Sequence, residues 1–254
     1  MMDRKKGMFR LFKYVVLGLS LTLSPSVFAN IIIIGTRIVY PEGNKEVTVK
    51  INNEGKQPSL VQVWSDKGNN KSTPETADAP FLIMPPIFRV ESHKSQTLRI
   101  TYTGEELPQD RESLFWLNVL DVPPMPIKTG FTDKNYLQIA IRTRIKIFFR
   151  PKGLVDTQSV AAEQIKWSIV KSNQNSSRYA LKATNASPYY ITISDAALTT
   201  NSHQYIAKAH MLEPGQTSNF PLNGLSSLPQ GKNIITYTTI NDLGGTNKHS
   251  FKLP

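Results

Sequence analysis

The 254-residue chain contains no cysteine, which excludes both a disulfide framework and a thiolate metal site. Stability must come from hydrophobic cores. Histidine is scarce too: His93, His203, His210 and His249 are the full set, and none of them fall at metal-ligand spacing. Nothing in the sequence calls for a metal or another cofactor. There is no Gly-x-Ser-x-Gly elbow, phosphate loop or dinucleotide fingerprint, and Gly244-Gly245 reads as a turn. Glu105 and Glu106 lie in a polar stretch without an apolar pocket to separate their pKa values. With no catalytic constellation, the expectation is a binding protein, not an enzyme.

Long apolar runs are also missing. Arg4, Lys5, Lys6, Arg10 and Lys13 precede an apolar run from Tyr14 to Leu23, closed by Ser24, Pro25 and Val27-Phe28-Ala29. This is the layout of a secretory signal over residues 1–29, cut after Ala29. Roughly ten apolar residues are too few for the ~20 that span a bilayer, and no later segment qualifies, so no membrane insertion of the mature chain is expected. Removing the signal takes away five basic residues and Asp3, lowering the formal charge from +11 to +7. A basic balance suits acidic protein partners, nucleic acid or an anionic surface. No dense Lys/Arg block or nucleic-acid motif is present, and export argues against nucleic acid.

What the sequence does contain is strand pattern. Short runs rich in Ile, Val, Thr, Tyr and Phe recur between Gly, Pro, Asn and Asp: Ile31 to Ile34, Glu46 to Asn52, Ser59 to Ser65, Thr97 to Tyr102 and Ser113 to Leu120. Such spacing predicts a β-sandwich. After Pro151-Lys152-Gly153, which ends a strand with turn chemistry, a second series follows: Gln164 to Val170, Tyr179 to Asn185, Tyr189 to Ser194, Thr217 to Leu222, Ile234 to Asn241 and His249 to Leu253. The expected organisation is therefore a signal (1–29), one β domain (30–151) and another (152–254). Helical periodicity is nearly absent; Ala161 to Val170 and Ser194 to Thr200 tolerate a helical turn, but strand or loop is favoured. The stretches Asp66 to Pro80 and Asp121 to Asn135 read as loops, the first polar and solvated, the second proline-rich.

The most distinctive segment is Leu137 to Pro151, LQIAIRTRIKIFFRP. Leu137, Ile139, Ile141, Ile145 and Ile147 share one parity, while Gln138, Arg142, Arg144 and Lys146 share the other, the period of a long strand. At a sheet border such a strand is a template that another chain could complete. By pattern alone, its apolar parity faces the chain's own core, and its basic residues are ordinary solvated positions.

Gly35-Thr36-Arg37-Ile38-Val39-Tyr40-Pro41, Glu112-Ser113-Leu114-Phe115-Trp116-Leu117-Asn118 and Ile145 to Pro151, together with Asn185 to Ile191 and Thr239 to Gly245, resemble the periplasmic pilus-assembly chaperones of the chaperone-usher pathway. The resemblance covers essentially all of the mature chain. The short loop before the long strand and the missing cysteine pair resemble the short-loop, PapD-like and FimC-like branch.

The resemblance implies an all-β fold of two immunoglobulin-like sandwiches in a boomerang arrangement, located in the periplasm. It implies a chaperone that binds, folds and caps fimbrial or pilus subunits by donor-strand complementation and passes them to an outer-membrane usher. Leu137, Ile139 and Ile141 then become the donated side chains, with Thr143 ending the inserted portion. Arg37 and Lys146 hold the subunit's C-terminal carboxylate; Glu112, Arg150 and Asp242 form an interdomain charge cluster. Pro85 and Pro86 match a region of usher contact, although a plain edge-strand terminator fits equally. A donor strand left open in the free protein allows self-association as protection. The alternative is a secreted structural or adhesive two-domain protein, pilin-like, although a pilin would carry an extended donor segment at its mature start.

Overall fold

The computed structural model describes residues 30–125, 137–172, 178–200, 203–229 and 231–253. The expected secretory signal and residues 126–136 of the proline-rich loop lie outside them.

The first half of the described chain supplies nine strands: β1 (Ile31–Ile33), β2 (Arg37–Pro41), β3 (Val47–Asn53), β4 (Ser59–Asp66), β5 (Phe81–Met84), β6 (Ile87–Val90), β7 (Ser95–Tyr102), β8 (Ser113–Val122) and β9 (Ile141–Arg150). They form a four-stranded sheet, β1-β3-β7-β5, and a five-stranded sheet, β2-β9-β8-β4-β6. Alternation drives this: on β7, Leu98 and Ile100 are fully buried while Arg99 between them is exposed. Phe115, Leu117 and Val119 of β8, with Ile145, Ile147 and Phe149 of β9, meet Val49, Ile51, Leu98 and Ile100 in one core. Each buried side chain of this size contributes roughly 1.5 to 3 kcal/mol before ordering entropy is counted.

The second half begins with a helix, α1 (Gln158–Glu163), followed by β10 (Lys166–Lys171), β11 (Tyr179–Thr184), β12 (Ile191–Thr200), β13 (His203–Ala207), β14 (Met211–Leu212), β15 (Thr217–Leu222), β16 (Asn233–Ile240) and β17 (Thr246–Lys252). Their order is β10-β11-β15-β13-β12-β16-β17, with β14 beside β12. One register pair, Ala207 with Leu222, joins β13 to β15, so the sheet bends there and closes over its own core of Trp167, Leu181, Ile193, Leu198, Phe220 and Tyr237. The expected all-β, two-sandwich fold is present.

Three local expectations are corrected. The long strand starts at Ile141, not Leu137: β8 ends at Val122, Pro123 and Pro124 cannot extend its ladder, and Asp121 is the last partner, opposite Ile141. Residues 158–163 form a helix because Thr157 caps it, its hydroxyl accepting from the Val160 N–H at 3.3 Å. The polar stretch after β4 is anchored, not simply solvated: Asp66 and Ser72 are buried, and a 3-10 turn occupies Pro74–Thr76.

Candidate functional site

The site is built where β2 meets β9. These strands pair in parallel from Arg37 with Lys146 to Pro41 with Arg150, while the opposite edge of β9 pairs with β8 from Ile141 to Phe149. From Lys146 onward β9 is therefore covered on both edges. From Ile141 to Ile145, no strand among the described residues covers the edge away from β8. The reason lies in the preceding turn: Gly35, at φ +106°, takes a backbone conformation open to glycine and carries the chain from β1 in one sheet to β2 in the other.

Arg37 and Lys146 sit as direct neighbours at the end of that open edge. The Arg37 Nη1 donates to the Ile240 carbonyl at 3.0 Å, and its guanidinium lies 5.7 Å from the centre of the Phe148 ring. Its buried Nε has no hydrogen-bond partner among the described residues. The Lys146 ammonium lies 5.7 Å from the Trp116 ring, which faces it across the β8–β9 pairing. Among the described residues, Lys146 has no hydrogen-bond or ion-pair partner. Burial, and then the Arg37 charge, push its pKa down to about 8. Burial also lowers that of Arg37, against the pull of Asp242 and Glu112. Two adjacent, half-buried cations with spare donors have the chemistry to pair with an anion of carboxylate geometry.

The same strand carries its apolar residues on the other face. Ile145, Ile147 and Phe149 are in the core, whereas Ile141, Ile139 and Leu137 are 56%, 61% and 84% exposed. The alternation is continuous, but the second sheet does not extend over the start of the strand. The reading that all these residues face the chain's own core holds from Ile145 onward and fails before it. Thr143 between the two groups is exposed.

Glu112, Arg150 and Asp242 come together between the sandwiches. The Arg150 Nε donates to Glu112 at 2.7 Å, and its two terminal nitrogens donate to Asp242 at 2.7 and 2.8 Å. Glu112 also accepts from the Tyr190 N–H at 2.8 Å. Burial raises the Glu112 pKa even with Arg150 beside it. For Arg150, burial works against the charge, yet the bonds to Asp242 and Glu112 hold its pKa above the ordinary value. Pro85 and Pro86 form the crossing from β5 in one sheet to β6 in the other, with the Pro86 carbonyl accepting from Val63 at 2.8 Å.

Arg142 and Arg144, expected as solvated positions, are instead bonded to the first sandwich. Arg142 donates to the carbonyls of Ser72, at 2.9 Å, and Asn70. Arg144 stacks 4.8 Å from Trp116 and donates to the buried Asp66 at 2.7 Å. Burial opposes the Asp66 charge, but bonds from Asn118, Ser72 and the Gly68 N–H, with Arg144, hold its pKa below the ordinary range. The usable signal is the placing of Trp64 and Trp116 on the polar parity of their strands, the face on which their rings meet Arg142 and Arg144.

The class of molecule is a two-sandwich protein with an uncovered strand edge that ends at a cation pair. Residues 30–155 match the family model for the pili and flagellar-assembly chaperone PapD N-terminal domain, and residues 160–251 match the model for the pili assembly chaperone PapD C-terminal domain. A probable fimbrial chaperone of Escherichia coli K12, YadV, is 38% identical over 89% of this chain and 90% of its own. The chaperone protein MrkB of Klebsiella pneumoniae is 38% identical over 85% and 88%. The crystal structure of the YadV chaperone superposes with a TM-score of 0.74 at 35% identity, covering 89% of this chain and all of that one. The SafB chaperone of Salmonella enterica, solved in complex with the SafA pilin, gives 0.70 at 26% identity over 91% and 99%. The chain belongs to the PapD-like pilus-assembly chaperones.

Proposed function

We propose that this chaperone captures pilus subunits in the periplasm by lending them a strand and anchoring their C-terminus. The observation that carries the reading is the edge of β9 over Ile141 to Ile145, which no strand among the described residues covers and which is stopped by β2 at Arg37 and Lys146. A strand entering this edge with its carboxylate at the cation pair runs in the direction of β9, and hence parallel to it. Its backbone groups pair with the free edge. Leu137, Ile139 and Ile141 enter the apolar groove that the subunit presents, and Thr143 ends the insertion.

The anchor and the pegs lie on opposite faces of one strand. Binding the carboxylate at Lys146 therefore fixes which subunit residues meet the pegs, because a slip of one residue turns every side chain to the wrong face. From Lys146 to Ile141 the reach is about 17 Å at 3.3 Å per residue. Residues 1–29 act as the export signal, and 30–151 and 152–254 as the two domains. Glu112, Arg150 and Asp242 hold these domains at a fixed angle, and the loaded chaperone is received by an outer-membrane usher, with Pro85 and Pro86 in the contact. The open edge in the free protein is protected by self-association. The pilin-like alternative gives way to the family assignment.

Arg37→Ala and Lys146→Ala test the anchor. Both variants are expected to reach the periplasm folded and to lose subunit capture in periplasmic extracts. Full capture by both would remove the carboxylate site from the mechanism.

A further inference from the structure

The turn between β16 and β17, Asn241 to Gly245, is pinned within itself and to the first sandwich. The Asn241 side-chain oxygen accepts from the N–H groups of Leu243 and Gly245 at 3.1 and 2.9 Å, and the Gly244 N–H donates to the Asn241 carbonyl at 2.9 Å. Three neighbouring points meet the other domain. The Ile240 carbonyl accepts from Arg37, and Asp242 accepts two bonds from Arg150. Gly244, at φ +83°, approaches Thr36 so closely that an added Cβ would stand 2.6 Å from its hydroxyl oxygen.

In this fixed turn Leu243 is 93% exposed, the highest value among the large hydrophobic residues described. A lone exposed leucine is common. Here, however, the turn is fixed beside the cation pair: Ile240 accepts from Arg37, and Gly244 abuts Thr36, the residue before Arg37, so Leu243 stands on a turn that borders the anchor. It adds almost nothing to folding where it stands.

We propose that Leu243 is a specificity contact, packing against an apolar side chain at or next to the C-terminal residue of the strand whose carboxylate Arg37 and Lys146 hold. The inference rests on the capture reading above. Continuity with the cation pair identifies the occupant: whatever carboxylate lies between Arg37 and Lys146 brings its own last side chains to this turn. The second domain would then read the end of the captured strand, in addition to setting the angle of the cleft.

The test uses the full mature chain and synthetic peptides of about twelve residues, long enough at ~3.3 Å per residue to run from the anchor past Leu137. All carry alternating apolar residues; they end in Phe or Ser, each as free acid and as amide, and affinity is measured by calorimetric titration. Leu243→Ser is expected to weaken the Phe-ended acid about tenfold, close to 1.4 kcal/mol, and to leave the Ser-ended acid unchanged. Leu243→Met is expected to bind like the parent. Equal affinities of parent and Leu243→Ser for both acids, or equal losses for both, would overturn the proposal. The amides report separately on the anchor: if the parent binds amide and acid alike, the carboxylate reading fails, while the Phe–Ser difference still decides Leu243.

Discussion

The Lys146 ammonium, held down to about 8 by burial and by Arg37, should make capture dependent on pH if it anchors the subunit as proposed. A carboxylate at the cation pair favours the protonated form, so the bound pKa lies above the free one. Affinity is then level below pH about 8 and falls as the pH rises through it. Binding titrations from pH 6 to 10 check this; a flat profile across pH 8 would dissociate Lys146 from the ligand. Lys146→Arg should remove the dependence, since a guanidinium stays charged throughout.

At the same scale, the Glu112–Arg150–Asp242 cluster should fix orientation more than it stabilises. Glu112 is 2% exposed, and its raised pKa means that burial outweighs what Arg150 returns. Its ionised form is therefore a net burden on the fold, fully present above the raised folded pKa, relieved as the pH falls through that pKa and gone below the unfolded value. Arg150→Ala, which strands that carboxylate, is expected to destabilise by roughly 3 to 5 kcal/mol in urea unfolding. The paired replacement Arg150→Met with Glu112→Leu should recover most of that loss while loosening the interdomain angle, measured by solution scattering. A double variant as unstable as Arg150→Ala would show that the cluster is a true stabiliser.

At the scale of the element, β9 is one strand with two environments. The same parity enters a core at Ile145 and water at Ile141. Ile139→Asp is expected to leave the fold intact, since the residue is already exposed, and to abolish capture by placing a charge in an apolar groove. Pull-down of a subunit from periplasmic extract gives the readout, and undiminished recovery would move the donor segment elsewhere. Alternation, visible in the sequence, identified the strand and its two faces. It could not locate the end of the sheet above it, because that depends on where β8 stops at its prolines and where Gly35 redirects the chain. Arg144 was misjudged for a related reason: its buried partner Asp66 is 78 positions away, on another strand, and no local pattern announces such a pairing.

At the scale of the molecule, two sandwiches are legible from strand spacing, and regular strands such as Thr217–Leu222 have the bounds their pattern predicts. Alternation did not reveal β5, β6 and β13, short strands of four or five residues. Nor did it reveal the capped helix at 158–163, whose six residues are too few to display a period. The cation pair needed the family resemblance, because Arg37 and Lys146 are far apart in sequence and become neighbours only through parallel pairing.

That pairing has a consequence for what kind of polypeptide can dock. Because β2 occupies the lane beside β9 from Lys146 onward, an incoming strand meets a dead end there, and a chain that continued past its last strand would have nowhere to thread. The chaperone on this reading inspects for completion: it accepts a finished chain with a bare terminus and refuses one still extended. A subunit bearing a few extra residues at its C-terminus should be exported yet go uncaptured, and protease should destroy it in the periplasm.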